Sequence, residues 1–516
     1  MKRRDVLKAS GVAAVWAAGS RAMAAATRNR PNLLIVHTDE HNFRTLGCYR
    51  ALMSEDQAFV WGPTVCKTPN IDWLADHGAV ATRFYGTTPV CSPSRSSLVS
   101  GRYPQNTPVV TNNIPMNDAV VTFAEILRRV GYATGYAGKW HLDGNGKPQW
   151  APKQKFGFTD NRYMFNRGHW KQLEDRPDGP RVKARSGNRP SYGVAGADAE
   201  SFTTDFLADK TVDFITAHKN EPFCYMVSIP DPHGPNTVRK PYDTMYADGT
   251  FKAPATGSKP SAGLPSWGQK QGQFSKKMHV PYLGMVKCID DNVGKILAAV
   301  RKAGLIDRTI IVFTSDHGDL CGEHGRHNKG VPYEGSAKIP FVLYCPGKVK
   351  AGTVVTQALG CVDFLPTILA LMGVKTAGKE EGRDASGLFT GNPPADWKDL
   401  AFVRSTGTVH GWLAAVTSRF KLVVSSRDEP WLFDLEKDPD ELTNLFARPK
   451  HRETVRALSR ELIAYGKRHK DPRAEADLVK SALAWGAEGT GTYTPPPMPA
   501  NQRPVGKRRK KRRANT

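Results

Sequence analysis

The segment Pro31–Glu40, PNLLIVHTDE, decides the fold. Its apolar, β-branched run is bounded by a proline and by polar residues, the pattern of a short strand buried on both faces. TIIVFTS (309–315), PFCYMVSI (222–229) and IPFVLYC (339–345) repeat the pattern, and YATGYAGK (132–139) is a weaker version. Helical periodicity lies between them. Phe123, Ile126, Leu127 and Val130 share one helical face, with Asn117 or Asp118 as N-cap and Gly131 as stop. YLGMVKCIDDNVGKILAAVRKAG (282–304) reads as an amphipathic helix feeding the strand at 309–315. Strands alternating with helices predict an α/β fold, a mostly parallel central sheet flanked by helices.

The residues after these strands carry the chemistry. Asp39 and Glu40 follow the first, Lys139 and His141 follow 132–139, His233 follows 222–229, and Asp316 and His317 follow 309–315. In a parallel sheet the carboxyl ends of the strands converge on one edge, where ligands bind. One aspartate after a strand is ordinarily a turn residue. Four polar clusters at four strand ends are not explained that way. Asp39, Glu40 and Asp316 are hard oxygen ligands that suit Ca²⁺ or Mg²⁺, and His317 is softer. Arg95, Lys139 and Lys329 are cations able to clamp a tetrahedral oxyanion, and His141 and His233 are candidates for proton transfer. That set fits phosphoryl or sulfuryl transfer. A nucleophile is offered only by CSPSRSSLVSGRYP (91–104). Taken alone, Cys91 reads equally as a buried small residue, half of a disulfide, a metal ligand or a nucleophile. The C-x5-R spacing of cysteine phosphatases fails, because Arg95 stands only four residues after Cys91.

The chain has 516 residues, enough for one large domain and a smaller one, and its 40% apolar content excludes wholesale disorder. A net charge of +24 points to an anionic partner, though no nucleic-acid-binding signature accompanies it. Part of that charge is the run Lys507–Arg513, KRRKKRR, which reads as a solvated tail. Residues 1–26 read as a signal peptide with the twin arginines Arg3 and Arg4 and an A-x-A site at Ala22–Ala24. This predicts export to the periplasm or beyond, with no transmembrane segment. None of the eight cysteines forms a C-x-x-C, which argues against structural zinc. Cys224, Cys288 and Cys345 read as core, and Cys48 with Cys66 as a candidate bridge.

Seven motifs in order, spread over about residues 31–445, resemble the formylglycine-dependent sulfatases of the alkaline phosphatase superfamily. They are HTDE, CSPSR with SGRYP, GKWHL, PHGP, SDHGDLCGEHG, KGVPYEG and FDLEKDPDELTNL. The resemblance implies that a formylglycine-generating or sulfatase-maturating enzyme oxidises Cys91 to Cα-formylglycine. Its hydrate would attack sulfur, and its second hydroxyl would then expel sulfate. It further implies that Asp39, Glu40, Asp316, His317 and the side chain at Cys91 hold the metal, most readily Ca²⁺ and alternatively Mg²⁺. Arg95 would steady the hydrate, Lys139 and Lys329 the sulfate, His141 would be base or orienter, and His233 would face the leaving oxygen. Glu40 stands where the family frequently has Asp, and His317 where many members have Asn. Ser94 and Ser96 read as loop hydrogen-bonders.

The implied organisation is a signal peptide (1–26), a catalytic domain (27–390), a C-terminal subdomain with an antiparallel sheet (391–485), and a Gly/Pro-rich linker with the basic tail (486–516). Within the subdomain, 402–426 reads as two or three strands and 452–469 as a helix packed on them. Segments 144–200 and 231–280 are long for connections and are expected to wall the substrate pocket, with Trp140, Trp150, Trp170 and Trp267 as candidate sugar-stacking rings. A sulfated carbohydrate is the expected substrate and the twin-arginine machinery an expected partner. The competing readings are a phosphodiesterase or phosphonate monoester hydrolase of the same superfamily, or an inactive polyanion-binding protein.

Overall fold

The computed structural model describes residues 30–258 and 263–494, so the leader and the basic run at Lys507–Arg513 lie outside the described residues. Its centre is an eight-stranded sheet in the order Thr353–Val355, Ala79–Ala81, Phe341–Tyr344, Thr309–Ser315, Asn32–Asp39, Phe223–Pro232, Ala133–Lys139 and Met164–Phe165. The strand Asn32–Asp39 lies in the middle, parallel to both neighbours, with Ile35 opposite Met226 on one side and Val312 on the other. All eight of its residues are buried. Leu33 and Ile35 pack among residues of the helices Cys91–Ser100 and Cys361–Met372. Leu34 and Val36 pack among residues of Thr203–Ala217 and Lys276–Lys302. A strand covered on both faces needs an unbroken apolar run, as its sequence has. The segment at 339–345 is also a strand but runs antiparallel to Thr309–Ser315.

Two helix boundaries depart from the sequence reading. The helix Phe123–Arg129 is capped by Thr122, whose hydroxyl accepts from the Glu125 N–H at 3.2 Å, and not by Asn117 or Asp118. Thr122 stands one residue before the apolar face, where its oxygen reaches the orphan N–H groups of the first turn. The helix read from residue 282 begins at Lys276 and contains Pro281. The proline removes one hydrogen bond, but the turn before it is closed by His279 N–H donating to Ser275.

The chain after residue 400 forms a four-stranded antiparallel meander, Ala401–Arg404, Trp412–Val416, Phe420–Ser425 and Trp431–Asp434. One face packs on Arg452–His469 and on a further helix, Asp477–Glu488, that begins in the expected subdomain and runs into the expected linker. The other face joins Tyr85, Tyr333 and Trp267 of the larger domain. FDLEKDPDELTNL serves this junction. Asp438 accepts from the N–H groups of Leu442 and Thr443, and Asn444 accepts from that of Leu432. Glu441 reaches across to the Glu334 N–H at 2.7 Å and Lys421 at 2.8 Å.

Arg404 adds a second tie. Its guanidinium donates to Asp471 at 3.2 Å and to Gln105 at 3.1 Å, with both ions of the Arg404–Asp471 pair buried. Removing one member of a buried pair strands the other, so Asp471→Ala is expected to cost about 3–5 kcal/mol in denaturant unfolding. The apolar replacement of both, Arg404→Met with Asp471→Leu, is expected to lose less. An Asp471→Ala protein as stable as wild type would remove this buried pair as the anchor that holds Arg404 toward Gln105.

Candidate active site

The four central parallel strands, Ala133–Lys139, Phe223–Pro232, Asn32–Asp39 and Thr309–Ser315, end side by side. Their close approach has a sequence cause at Gly138, where a Cβ would lie 2.0 Å from the Ser228 carbonyl oxygen. Across the strand ends lies the helix Cys91–Ser100, buried along its whole length, with Cys91 as its first residue. Arg95 is four residues on, hence on the same helical face and one turn deeper. Pro93 falls in the first turn, where its missing N–H is one of the groups a helix leaves unpaired. Gly101 ends the helix in the left-handed conformation at φ 66°. Ser94 and Ser96 are therefore helical, not loop, residues; Ser96 bonds back to the Pro93 carbonyl at 2.8 Å.

Arg95 organises the floor. Its guanidinium donates to Asp39 and to Asp316, each at 2.9 Å, to the Lys139 carbonyl at 2.8 Å and to the Ser228 hydroxyl at 2.7 Å. Lys139 makes a short hydrogen bond to the same Asp39 oxygen, Oδ2. The other Asp39 oxygen, Oδ1, faces Cys91 Sγ at 3.7 Å and His317 Nε2 at 3.8 Å. Cys91 Sγ lies 3.2 Å from His317 Nε2, which is 3.5 Å from Asp316 Oδ1. Asp39, Cys91, Asp316 and His317 thus bring one ligand atom each within 4.8 Å of one another. Glu40, in the left-handed region at φ 62°, is fixed by its N–H to Asp316 and by its carbonyl to the Tyr282 hydroxyl. Its Oε2 takes Lys329 and His233, both at 2.9 Å, and its buried Oε1 has no hydrogen-bond partner.

The electrostatics follow from this packing. Burial pushes the Asp39 carboxyl up, but Lys139 and Arg95 outweigh it and hold the group well below the carboxylate range. Burial likewise raises Glu40, and His233 and Lys329 bring it well down. Burial and Asp39 raise the Cys91 thiol, yet Lys139, Lys329 and His317 hold it well below the usual thiol value. Burial lowers His317, while Asp316 and Cys91 more than compensate and lift it to about 9. His141, also left-handed at φ 61°, is lowered chiefly by burial, so its imidazole is neutral. Its Nε2 meets Asn113 at 3.2 Å, and its Nδ1 has no hydrogen-bond partner.

All the residues singled out in the sequence therefore meet at one edge: Asp39, Glu40, Cys91, Arg95, Lys139, His141, His233, Asp316, His317 and Lys329. One neighbour was not legible. His169 comes from within the segment 144–200, follows only the two-residue strand Met164–Phe165, too short to show as an apolar run, and lies face to face with His233 at 3.5 Å. The tryptophans do not form the expected platform. Trp140, Trp170 and Trp267 are buried, and Trp267 packs against Tyr333 and Trp431 at the domain junction. Trp150 sits edge-on to Phe165. Among the described residues all eight cysteines are free, so Cys48 and Cys66 form no bridge. No described helix is long and apolar enough to cross a membrane.

A buried cysteine at a helix start, a carboxylate–histidine cluster able to hold a cation, and lysines beside them at the edge of an α/β sheet form an arrangement suited to an anionic ester. The family model "Sulfatase" matches residues 31–374, and "N-sulphoglucosamine sulphohydrolase, C-terminal" matches 322–468. The chain is 24% identical over 530 residues to an N-acetylglucosamine-6-O-sulfatase of Bacteroides thetaiotaomicron, covering 86% of this chain and 87% of that one. It is 28% identical over 439 residues to an ulvan-active sulfatase of Formosa agariphila, covering 82% and 78%. A structure solved with its substrate D-glucosamine-2-N,6-O-disulfate superposes with a TM-score of 0.70 at 23% identity, over 86% of this chain and 98% of that one. The chain belongs to the sulfatase family of the alkaline phosphatase superfamily, and it is a sulfuric ester hydrolase.

Arg95→Lys tests the floor. The lysine keeps the charge but loses the fork that spans two carboxylates, a carbonyl and a hydroxyl. Turnover of an aryl sulfate is expected to fall about 10²-fold through misplacement of Asp39 and Asp316. Turnover within twofold of wild type would show that charge alone suffices.

Proposed function

We propose that this enzyme removes sulfate from a sulfated carbohydrate, with Cα-formylglycine made from Cys91 as nucleophile and a divalent cation, Ca²⁺ before Mg²⁺, as cofactor. The observation that carries the reading is the position of Cys91. It is 2% exposed, at the start of a buried helix, against the Asp39–Asp316–His317 cluster and ringed by cations. A hydrated aldehyde there has its developing negative charge met by fixed positive groups.

The donor set fits a hard cation. Two carboxylates and one imidazole converge, and Glu40, next in the chain to Asp39, keeps a buried oxygen, Oε1, without a hydrogen-bond partner. Asp39, Asp316, His317 and the hydroxyl at position 91 would hold the ion, with Glu40 as a further oxygen. The cation supplies charge that lowers the cost of forming the attacking oxyanion. His141, neutral and with a free Nδ1, is placed to take the proton of the attacking hydroxyl. Lys139 and Lys329 would hold the sulfate oxygens. His233 donates its Nδ1 to the Gly234 carbonyl and turns Nε2 toward Glu40 and Lys329, the side from which a leaving alkoxide would be protonated. The hydroxyl oxygen bonds to sulfur as the ester S–O bond breaks, releasing alcohol. The second hydroxyl then loses its proton, its oxygen forms the carbonyl, and the C–O bond to sulfate breaks. Water re-hydrates the aldehyde.

The sulfated sugar is supported by the names of the two curated relatives and by the anionic-partner preference of a +24 chain. The twin-arginine leader supports export to the periplasm or beyond, and the tail Lys507–Arg513 supports retention on anionic polymers.

Produced with a formylglycine-generating enzyme, the protein is expected to yield a hydrazide-trappable aldehyde at Cys91. It should release sulfate from 4-nitrophenyl sulfate in preference to the phosphate mono- and diesters. Cys91→Ala should be inactive, and Cys91→Ser should transfer at most once, because its ester lacks the geminal hydroxyl. Chelation should abolish turnover, and Ca²⁺ or Mg²⁺ should restore it. Active protein whose Cys91 remains wholly thiol would overturn the nucleophile, and a preference for phosphodiesters would overturn the substrate class.

Burial of the CSPSR segment adds a kinetic expectation. A converting enzyme cannot reach Cys91 in the folded chain, so a peptide spanning Cys91–Pro104 is expected to be converted and the folded thiol protein is not. Equal conversion of both would contradict this.

A further inference from the structure

His169 is held in place from both sides. Gly168, at φ 121°, makes the turn, and a Cβ there would lie 2.3 Å from the Trp170 ring. The Trp170 indole is buried and donates to the Arg167 carbonyl at 3.0 Å. Lys171 is buried and pairs with Asp231 at 2.6 Å, two residues before His233. The imidazole of His169 consequently lies parallel to that of His233, centroids 3.5 Å apart and planes 6° apart. Its Nε2 is 2.8 Å from Lys139 Nζ. An ammonium has only donors, so Nε2 accepts and the ring proton resides on Nδ1. Burial, reinforced by Lys139 and His233, keeps this imidazole neutral.

We propose that His169 is a positioning residue for sulfate-ester hydrolysis, which aims the Lys139 ammonium and fixes the plane of His233. The proposal rests on the sulfatase reading of the site. Lys139 has three N–H donors. Asp39 takes one and His169 takes the second, leaving the third for a substrate oxygen. Without His169, two donors would be free and the ammonium would swing with Asp39 as its only anchor. The stacked ring likewise stops His233 rotating away from Glu40 and Lys329, with which it shares a hydrogen-bonding cluster.

Three variants separate the two tasks. His169→Phe keeps a flat ring against His233 but no acceptor; His169→Gln keeps an acceptor but no ring; His169→Ala has neither. Each is made with the formylglycine-generating enzyme, and kcat and KM for 4-nitrophenyl sulfate are measured beside aldehyde content, bound metal and melting temperature. We expect His169→Phe to lose about 10²-fold in kcat, the scale of losing one aimed donor, with aldehyde and metal content unchanged. His169→Gln should recover about tenfold of that loss, and His169→Ala should be the slowest. Wild-type kcat in His169→Phe, no recovery in His169→Gln, or activity lost only in proportion to aldehyde or metal would overturn the proposal. Sulfate affinity of the Cys91→Ala protein, with and without His169→Phe, reads the same ammonium without turnover and is expected to weaken about tenfold. Absence of wild-type turnover with that weakening intact would strike the sulfatase chemistry and leave the role of His169 standing.

Discussion

The Asp39 carboxylate is shared: Arg95 and Lys139 hold one oxygen, and the other is turned to Cys91 and His317. Buried carboxylates survive only where their charge is met by partners at hydrogen-bond distance. Asp39, Glu40 and Asp316 are answered by Arg95, Lys139 and Lys329, three against three. That balance is what lets so many charges sit beneath the surface of a sheet edge. In the proposed reaction, the lysines that compensate carboxylates at rest are the groups that would meet the ester's oxygens.

The helix Cys91–Ser100 couples this balance to the rest of the molecule. It is pinned by Arg95 into the strand ends and packed against Cys361–Met372 on its far side. Its continuation, SGRYP, leads to Gln105, which meets Arg404 of the smaller domain. The smaller domain returns through Glu441 to Glu334, in the KGVPYEG segment that also carries Lys329. Both ends of the active site are thereby braced by the C-terminal meander, which gives that domain a mechanical part in a reaction it does not touch.

Most of this was legible in the chain because buried parallel strands leave strong signals. PNLLIVHT and TIIVFTS have no polar interruption that would suit an exposed face, and the residues following them are too rich in titratable groups to be turns. The helix starts were less legible. Thr122 and Asn117 are both good capping residues, and which one caps depends on where the apolar face begins to pack. The four tryptophans were open to two readings, packing and sugar stacking, because a large ring is as able to fill a core as to bind a sugar; the structure shows packing.

By itself, the sequence determined the fold class, the edge at which the site forms, and the residue types that meet there. These depend on local periodicity and on the rule that parallel strands end together. Only the tertiary structure decided who touches whom. Arg95 bridges two carboxylates because the helix axis lies across the strand ends. Glu40 faces Lys329 and His233 because its backbone is left-handed, and His169 enters because a loop anchored by Trp170 and Lys171 folds back over Lys139. Contacts of this kind join residues far apart in the chain. They are set by packing between elements, which leaves no periodic trace in either partner's own segment.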